Sequence, residues 1–363
     1  MVGGRSSGTL AVPYHPHLRF DMPVSYKGMN LHIWAAHDRM FDWLVERGLL
    51  PTGGGNLSVL KGSRCDLLTG CYFPDTDLAT LALLDEFVGW GFVIDDQVDD
   101  TAVGLDPDRV AAVVFELTEI LAGRPAARLT QAGAALADWW ARVRALSTQP
   151  LWRAQFVSST TAWLNTYAME SRHWAEGYTP SLEEYLEYRR NSIGSWPYSD
   201  LAEIADHGEL PEEARLLPAY QEMRMPMALH VGIANDIISY EKQHRLGRQK
   251  DIVDVLIAES GCTPQEGLEQ AVTMANSWMA DFQRAAQKFC AQMDQAGLAP
   301  EVKQAGRQTV ASLGTHIRAS AEWEVLAVER FGDDEYYLRG DDPSVCDVLA
   351  RPTVQPRSPA SPT

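Results

Sequence analysis

Two stretches about 140 positions apart carry the side chains of this 363-residue sequence that are best suited to chemistry. The first is Trp90-Gly91-Phe92-Val93-Ile94-Asp95-Asp96-Gln97-Val98-Asp99-Asp100, and the second is Asn235-Asp236-Ile237-Ile238-Ser239-Tyr240-Glu241-Lys242-Gln243. In each, oxygen-bearing side chains recur four residues apart, which on a helix puts them on one face. Asp95 and Asp99 share such a face, and Asp96 lies about 100° around the helix. Carboxylates this close repel one another unless cations sit among them. Magnesium suits the task, being hard, oxygen-seeking and able to bridge substrate phosphates while keeping waters. Alone, the stretch reads equally well as an acidic helix end running into a solvated loop, since Asp100 and Thr101 follow.

The second stretch shifts that balance. Asn235, Ser239 and Gln243 form one stripe at i, i+4 and i+8. Asn and Ser are poor helix-interior residues, yet these follow the apolar run Met227 to Ala234, which should be buried. A buried polar stripe needs partners, and a metal ion with its waters supplies them. Lys242, beside the stripe, offers an ammonium group to an anion. Facing one another across a cavity, two such helices would hold several divalent cations, and those cations a diphosphate. The chemistry indicated is metal-assisted activation of a diphosphate.

The elements that must position these groups are helical. Apolar residues recur with helical spacing over Leu81 to Ile94, Val110 to Leu121, Leu136 to Leu146, Ala154 to Trp174, Ala228 to Tyr240, Leu268 to Cys290 and Val302 to Val328, while strand-like alternation is hard to find. Thr179-Pro180-Ser181-Leu182-Glu183-Glu184 and Thr263-Pro264-Gln265-Glu266 read as helix starts. No repeat of solenoid period is present. The expectation is an all-α fold, a single domain over 14–350 with long helices around a central cavity. The Gly/Ser/Pro-rich ends, 1–13 and 351–363, are expected to be disordered tails.

Composition narrows the partners. Hydrophobic residues make up 45% and charged residues 22%, and the net charge is −18. That surface argues against nucleic acid and against an anionic membrane face, so an anionic substrate needs local positive charge or metal ions at its site. No apolar run approaches the length of a membrane span, and the N-terminus lacks a signal-peptide pattern. The five cysteines match no common zinc or disulfide framework. Reduced thiols in a cytoplasmic protein are expected.

Between the two stretches lies Tyr185-Leu186-Glu187-Tyr188-Arg189-Arg190-Asn191-Ser192-Ile193-Gly194. An arginine pair is as often a surface salt-bridge former, but guanidinium suits forked contacts with phosphate oxygens.

Taken together, these motifs resemble those of class I terpene synthases (terpene cyclases), particularly bacterial ones. Asp95-Asp96-Gln97-Val98-Asp99, with Trp90 and Phe92 before it, matches the family's aspartate-rich motif. Asn235, Asp236, Ser239, Tyr240 and Lys242 match its second metal motif, and ordered matches run from about residue 90 to 331, roughly two thirds of the chain. The resemblance implies a single-domain helical bundle around an active-site cavity. It implies that Asp95 binds two of three magnesium ions, with Asp96 and Asp99 supporting that cluster. Asn235, Ser239 and position 243 would hold the third ion. The family usually has Glu where this chain has Gln243, whose neutral amide predicts a weaker third site. Glu241 points to another face, so Asp236 is the expected helper.

By the family's offsets, Arg190 is the diphosphate sensor, Ile193 the linker and Gly194 the effector, with Arg189 as the alternative sensor. Lacking a side chain, Gly194 can break a helix and present a carbonyl to a cation. The family's C-terminal Arg-Tyr pair, often preceded by Trp, is matched in part by Trp323 and Arg330-Phe331, where Phe331 cannot donate a hydroxyl hydrogen bond. A carbocation needs a dry cavity with aromatic faces. Trp90, Phe92, Trp163, Tyr167, Trp196, Trp323 and Phe331 are the candidates, Phe92 and Trp196 foremost because each adjoins a motif, although large aromatics also fill cores.

The implied reaction is magnesium-dependent ionisation and cyclisation of a linear C15 or C20 prenyl diphosphate. Arg190, Lys242 and Arg330 would bind the diphosphate, and a cyclic hydrocarbon or alcohol and free diphosphate would be the products. No side-chain base is evident, which leaves the departing diphosphate or a carbonyl such as that of Gly194. A chain-elongating prenyltransferase would need a second aspartate-rich motif, and a protonation-initiated cyclase an acid motif in a second domain. Gln243 and Phe331 also motivate a catalytically weakened diphosphate-binding homologue. Antiparallel homodimers are common in the family, so a homodimer is the assembly implied.

Overall fold

The computed structural model describes residues 8–13, 15–24, 26–51, 55–245, 251–327 and 346–350. Arg330, Phe331 and the expected tail 351–363 lie outside the described residues.

Part of the expected N-terminal tail is ordered. Strand β1 (Gly8–Val12) pairs antiparallel with β2 (His15–Met22), matching Leu10 to Phe20 and Gly8 to Met22, with a register shift at Ala11/Val12. Leu18-Arg19-Phe20-Asp21-Met22 alternates, burying Leu18, Phe20 and Met22 while Arg19 and Asp21 face outward. That is the half-buried strand pattern, here too short to stand out in a helical sequence. The hairpin is held in place when the backbone N–H of Asp21 donates to Asn276 Oδ1 at 2.8 Å and Asn276 Nδ2 donates to the Arg19 carbonyl at 3.2 Å. The hairpin therefore begins within the segment 1–13 expected to be a tail.

The other described elements are helical, with a short 3-10 turn at Ala102–Leu105, a π turn at Glu203–His207 and the α-helices α1 (Ile33–Glu46), α2 (Gly55–Ser63), α3 (Cys65–Tyr72), α4 (Leu78–Asp100), α5 (Pro107–Leu121), α6 (Gln131–Leu146) and α7 (Pro150–Glu176). After them come α8 (Leu182–Ser192), α9 (Ser195–Ala202), α10 (Glu212–Arg215), α11 (Pro218–Arg245), α12 (Ile252–Ser260), α13 (Pro264–Gln295) and α14 (Pro300–Leu326). Each predicted helical run falls within one of them, except that the run Val302 to Val328 passes the end of α14, with Ala327 following the helix and Val328 outside the described residues. None of the described helices is long and apolar enough to cross a membrane.

Local chemistry fixes the helices that matter most. Asp77 caps α4 by accepting from the N–H groups of Ala79 and Thr80. Ser181 and Glu184 form a reciprocal capping box on α8, and Thr263 and Glu266 form one on α13; such caps contribute about 1 kcal/mol each. The core beneath α4 is aromatic: the Phe87 ring stacks on Trp90 and on Trp139, with Phe156 alongside. Helix α11 packs along α13, and α4 along α1. Helices α4, α7, α8, α11 and α14 then contribute to the walls of one cavity.

Candidate active site

The cavity has a volume of about 260 Å³ and is lined by residues from both quoted stretches. From α4 come Gly91, Phe92, Asp95, Asp96, Asp99 and Asp100; from α11 come Asn235, Asp236, Ser239, Lys242 and Gln243. Periodicity explains the arrangement: each helix turns one oxygen-bearing stripe inward and packs its apolar stripe in the core. Gly91 is needed for close approach, because a Cβ there would lie 2.6 Å from Tyr198 Oη and 3.1 Å from the Trp163 ring.

On the α4 side, Tyr167 Oη donates to Asp95 Oδ1 at 3.2 Å. Burial raises the Tyr167 hydroxyl well above its usual range, and the nearby Asp95 and Asp99 charges raise it further, so it stays a donor. On the α11 side, Arg189 Nη2 lies 2.7 Å from Asp236 Oδ1, 2.9 Å from Asn235 Oδ1 and 3.2 Å from the Gly232 carbonyl. Burial alone would lower the Arg189 guanidinium, but Asp236 beside it raises it overall. Asp236 also accepts from Tyr185 Oη at 2.5 Å and from the Ile252 N–H at 3.3 Å. Asn235 Nδ2 donates to Glu324 Oε1 at 2.9 Å, and burial pushes the Glu324 carboxyl up to about 8.

Several expectations are revised by this geometry. Arg189, not Arg190, lines the cavity; Arg190 turns outward to pair with Glu187 and lie against Met225 Sδ. One residue is 100° of helix rotation, enough to send neighbouring side chains to opposite environments. Ser192 and Ile193 line the cavity, whereas Gly194, at φ 70°, is the left-handed junction between α8 and α9 and packs against Trp163. Phe92, Trp163 and Trp323 line the cavity, as does Tyr167. Trp90 does not: it is buried under α4, where its Nε1 donates to the Ala132 carbonyl. Trp196 also packs elsewhere, donating to the Arg224 carbonyl, with the Arg224 guanidinium 5.8 Å from its ring centre. Asp236 is committed to Arg189 and Tyr185 and so cannot substitute freely for the charge missing at Gln243. Glu241 is exposed and away from the cavity.

Sequence reasoning missed Tyr72, Tyr198, Glu170, Glu324, Asp251 and Asp254, which also line the cavity. Asp251 and Asp254 carried a signal, because Asp251-Ile252-Val253-Asp254 is a capping box at the start of α12. Burial, then the charges of Asp254 and Asp236, raise the Asp251 carboxyl well above its usual range.

Among the described residues, no three carboxylate, imidazole or thiol groups converge to hold a metal by themselves. The two walls instead offer hard oxygen donors in smaller sets. That suits cations that complete their coordination with water and substrate phosphate, so the residues fit a divalent metal.

Known proteins resemble the chain in sequence and in fold. Residues 86–281 match the family model described as terpene synthase family 2, C-terminal metal binding. The chain is 28% identical to the (2Z,6E)-hedycaryol synthase of Kitasatospora setae, over 90% of this chain and 94% of that one. It is 24% identical to a 7-epi-α-eudesmol synthase of Streptomyces viridochromogenes named as (2E,6E)-farnesyl diphosphate cyclizing, over 85% and 91% of the two chains. The solved structure of hedycaryol synthase in complex with HEPES superimposes with a TM-score of 0.75 at 26% identity, covering 85% of this chain and 98% of that one. With the family model matched over residues 86–281 and a matching fold, the chain belongs to the class I terpene synthases, the metal-dependent enzymes that cyclise prenyl diphosphates.

Proposed function

We propose that the substrate is the C15 chain farnesyl diphosphate. Its diphosphate would sit between the Asp95 and Asn235 walls, and its hydrocarbon against Tyr72, Phe92, Trp163, Tyr198 and Trp323. The observation that carries this reading is Arg189: a largely enclosed guanidinium beside Asn235, in the same cavity as Asp95 and a group of aromatic faces. The farnesyl diphosphate named for the Streptomyces relative supports the chain length.

In this reading Asp95, Asp96, Asp99, Asn235, Ser239 and Gln243 would hold three magnesium ions, whose charge would neutralise the leaving diphosphate. Arg189 donates to diphosphate oxygens in a forked contact, with Lys242 as a second cation. Tyr167 fixes the orientation of the Asp95 carboxylate. Once the C–O bond ionises, the aromatic faces stabilise the allylic cation, each cation–π contact contributing about 0.5–2 kcal/mol. The cavity wall excludes water until ring closure, and deprotonation or water capture ends the cascade.

The test is incubation of the full chain with magnesium and, separately, C10, C15 and C20 prenyl diphosphates, followed by gas chromatography and mass spectrometry. A cyclic C15 product from farnesyl diphosphate is expected. A product only from the C20 substrate would overturn the chain length. No product from any substrate would favour the weakened, binding-only homologue that Gln243 motivates.

A further inference from the structure

The α11 wall lacks a charge where Gln243 stands, and the carboxylate that neighbours it on the same helix face, Asp236, is already bound by Arg189, Tyr185 and the Ile252 N–H. A second carboxylate, at the N-terminus of α12, lines the same cavity as this wall. Asp251 is only 5% exposed and lines the cavity that Asn235, Ser239 and Gln243 also line. Its Oδ1 caps α12, accepting from the N–H groups of Val253 at 2.8 Å and Asp254 at 3.1 Å. Its Oδ2 is buried and has no hydrogen-bond partner among the described residues. A buried carboxylate oxygen without a donor is costly, and a hard cation is the partner that fits an oxygen-lined wall.

We infer that Asp251 supplies the anionic oxygen for the divalent ion on the α11 wall, the role for which Gln243 has no charge. The inference rests on the metal and diphosphate reading above. It makes the third ion site a composite of two elements: neutral oxygens from α11 and one carboxylate from the N-terminus of α12. A capping role alone does not require the charge, because Asn caps helices as well as Asp does.

That equivalence gives a clean variant. Asp251→Asn keeps the cap and the shape and removes the charge. Mn2+ binding to the full chain with inorganic diphosphate, followed by electron paramagnetic resonance of free Mn2+, reads the site without turnover. Melting without metal reports on folding. Asp251→Asn is expected to weaken the last-bound ion by about tenfold or more with an unchanged metal-free melting temperature. Adding Gln243→Glu to that variant is expected to restore most of the lost affinity. Unchanged Mn2+ affinity in Asp251→Asn would overturn the inference and leave the wider reading intact. Loss without rescue by Gln243→Glu would also overturn it, since the two positions would not then serve one ion. A wild-type chain that binds no Mn2+ with diphosphate would overturn both.

Discussion

The two walls of the cavity handle charge in opposite ways. On α4, Asp95, Asp96 and Asp99 crowd the C-terminal end of a helix, where the helix dipole is already negative. On α11, the stripe is neutral Asn235, Ser239 and Gln243, with Asp236 paired to Arg189, Lys242 adjacent, and the carboxyls of Asp251, Asp254 and Glu324 in the same cavity. The first wall concentrates negative potential and is built to attract cations. The second is organised around a fixed guanidinium and is built to orient an anion. A metal-bound diphosphate is the ligand that satisfies both, and this division of labour can be tested wall by wall.

The largest effect is expected at Asp95. Asp95→Asn keeps the shape, and the amide can still meet the Tyr167 hydroxyl, but it removes one charge from the cation-attracting wall. Turnover of farnesyl diphosphate should fall about a thousandfold, equivalent to about 4 kcal/mol of transition-state stabilisation. The magnesium concentration for half-maximal rate should also rise. Ser239→Ala on the neutral wall should cost about tenfold. Equal losses at the two positions in a steady-state assay would break the proposed contrast.

A smaller effect separates the adjacent arginines. Arg189→Lys preserves a positive charge against Asp236 but loses the planar fork, and should lower kcat/KM about a hundredfold. Arg190→Lys, whose partner is the exposed Glu187, should change it by less than about twofold. Matched melting temperatures would show that the Arg189 loss is not unfolding. A larger loss at Arg190 would return the sensor role to that position.

These two residues also show where sequence reading ends. The helices were legible because apolar periodicity and caps such as Thr263-Pro264-Gln265-Glu266 are local. The metal-motif stripes were legible because a four-residue spacing fixes a shared helix face. Which of two neighbouring arginines turns inward depends on the rotation of α8 against α11, a tertiary quantity. Trp90 and Trp196 failed as wall residues for the same reason: proximity to a motif along the chain says little about direction. Asp251 belongs to a different helix from the stripe with which it shares the cavity, so spacing could not link them, and its capping pattern offered a sufficient local explanation. The hairpin was hidden because only a five-residue alternation marks it.

The smallest effect on turnover, and the sharpest control, lies at the other end of α4. Asp85 precedes Asp95 by ten residues, about 15 Å along the helix, and is fully buried. Its Oδ1 accepts from Thr69 Oγ1 at 2.6 Å, and burial pushes its carboxyl from 3.8 up to about 8. The folded chain therefore holds a proton there that the unfolded chain releases above pH 3.8. This contribution to stability is fully present below that pH. It declines by up to about 1.4 kcal/mol per pH unit as pH rises toward 8, then levels off. Asp85→Asn cannot titrate, so its denaturation midpoint should vary less than wild type between pH 5 and 8, with the variant gaining relative stability at the alkaline end. Its magnesium dependence should match wild type within about twofold, since the residue does not line the cavity and lies about 15 Å along the helix from Asp95. A shift in magnesium dependence like that of Asp95→Asn would mean that the charge of α4 acts as one unit along the helix, and the contrast between the walls would then belong to whole helices rather than to the residues at the cavity.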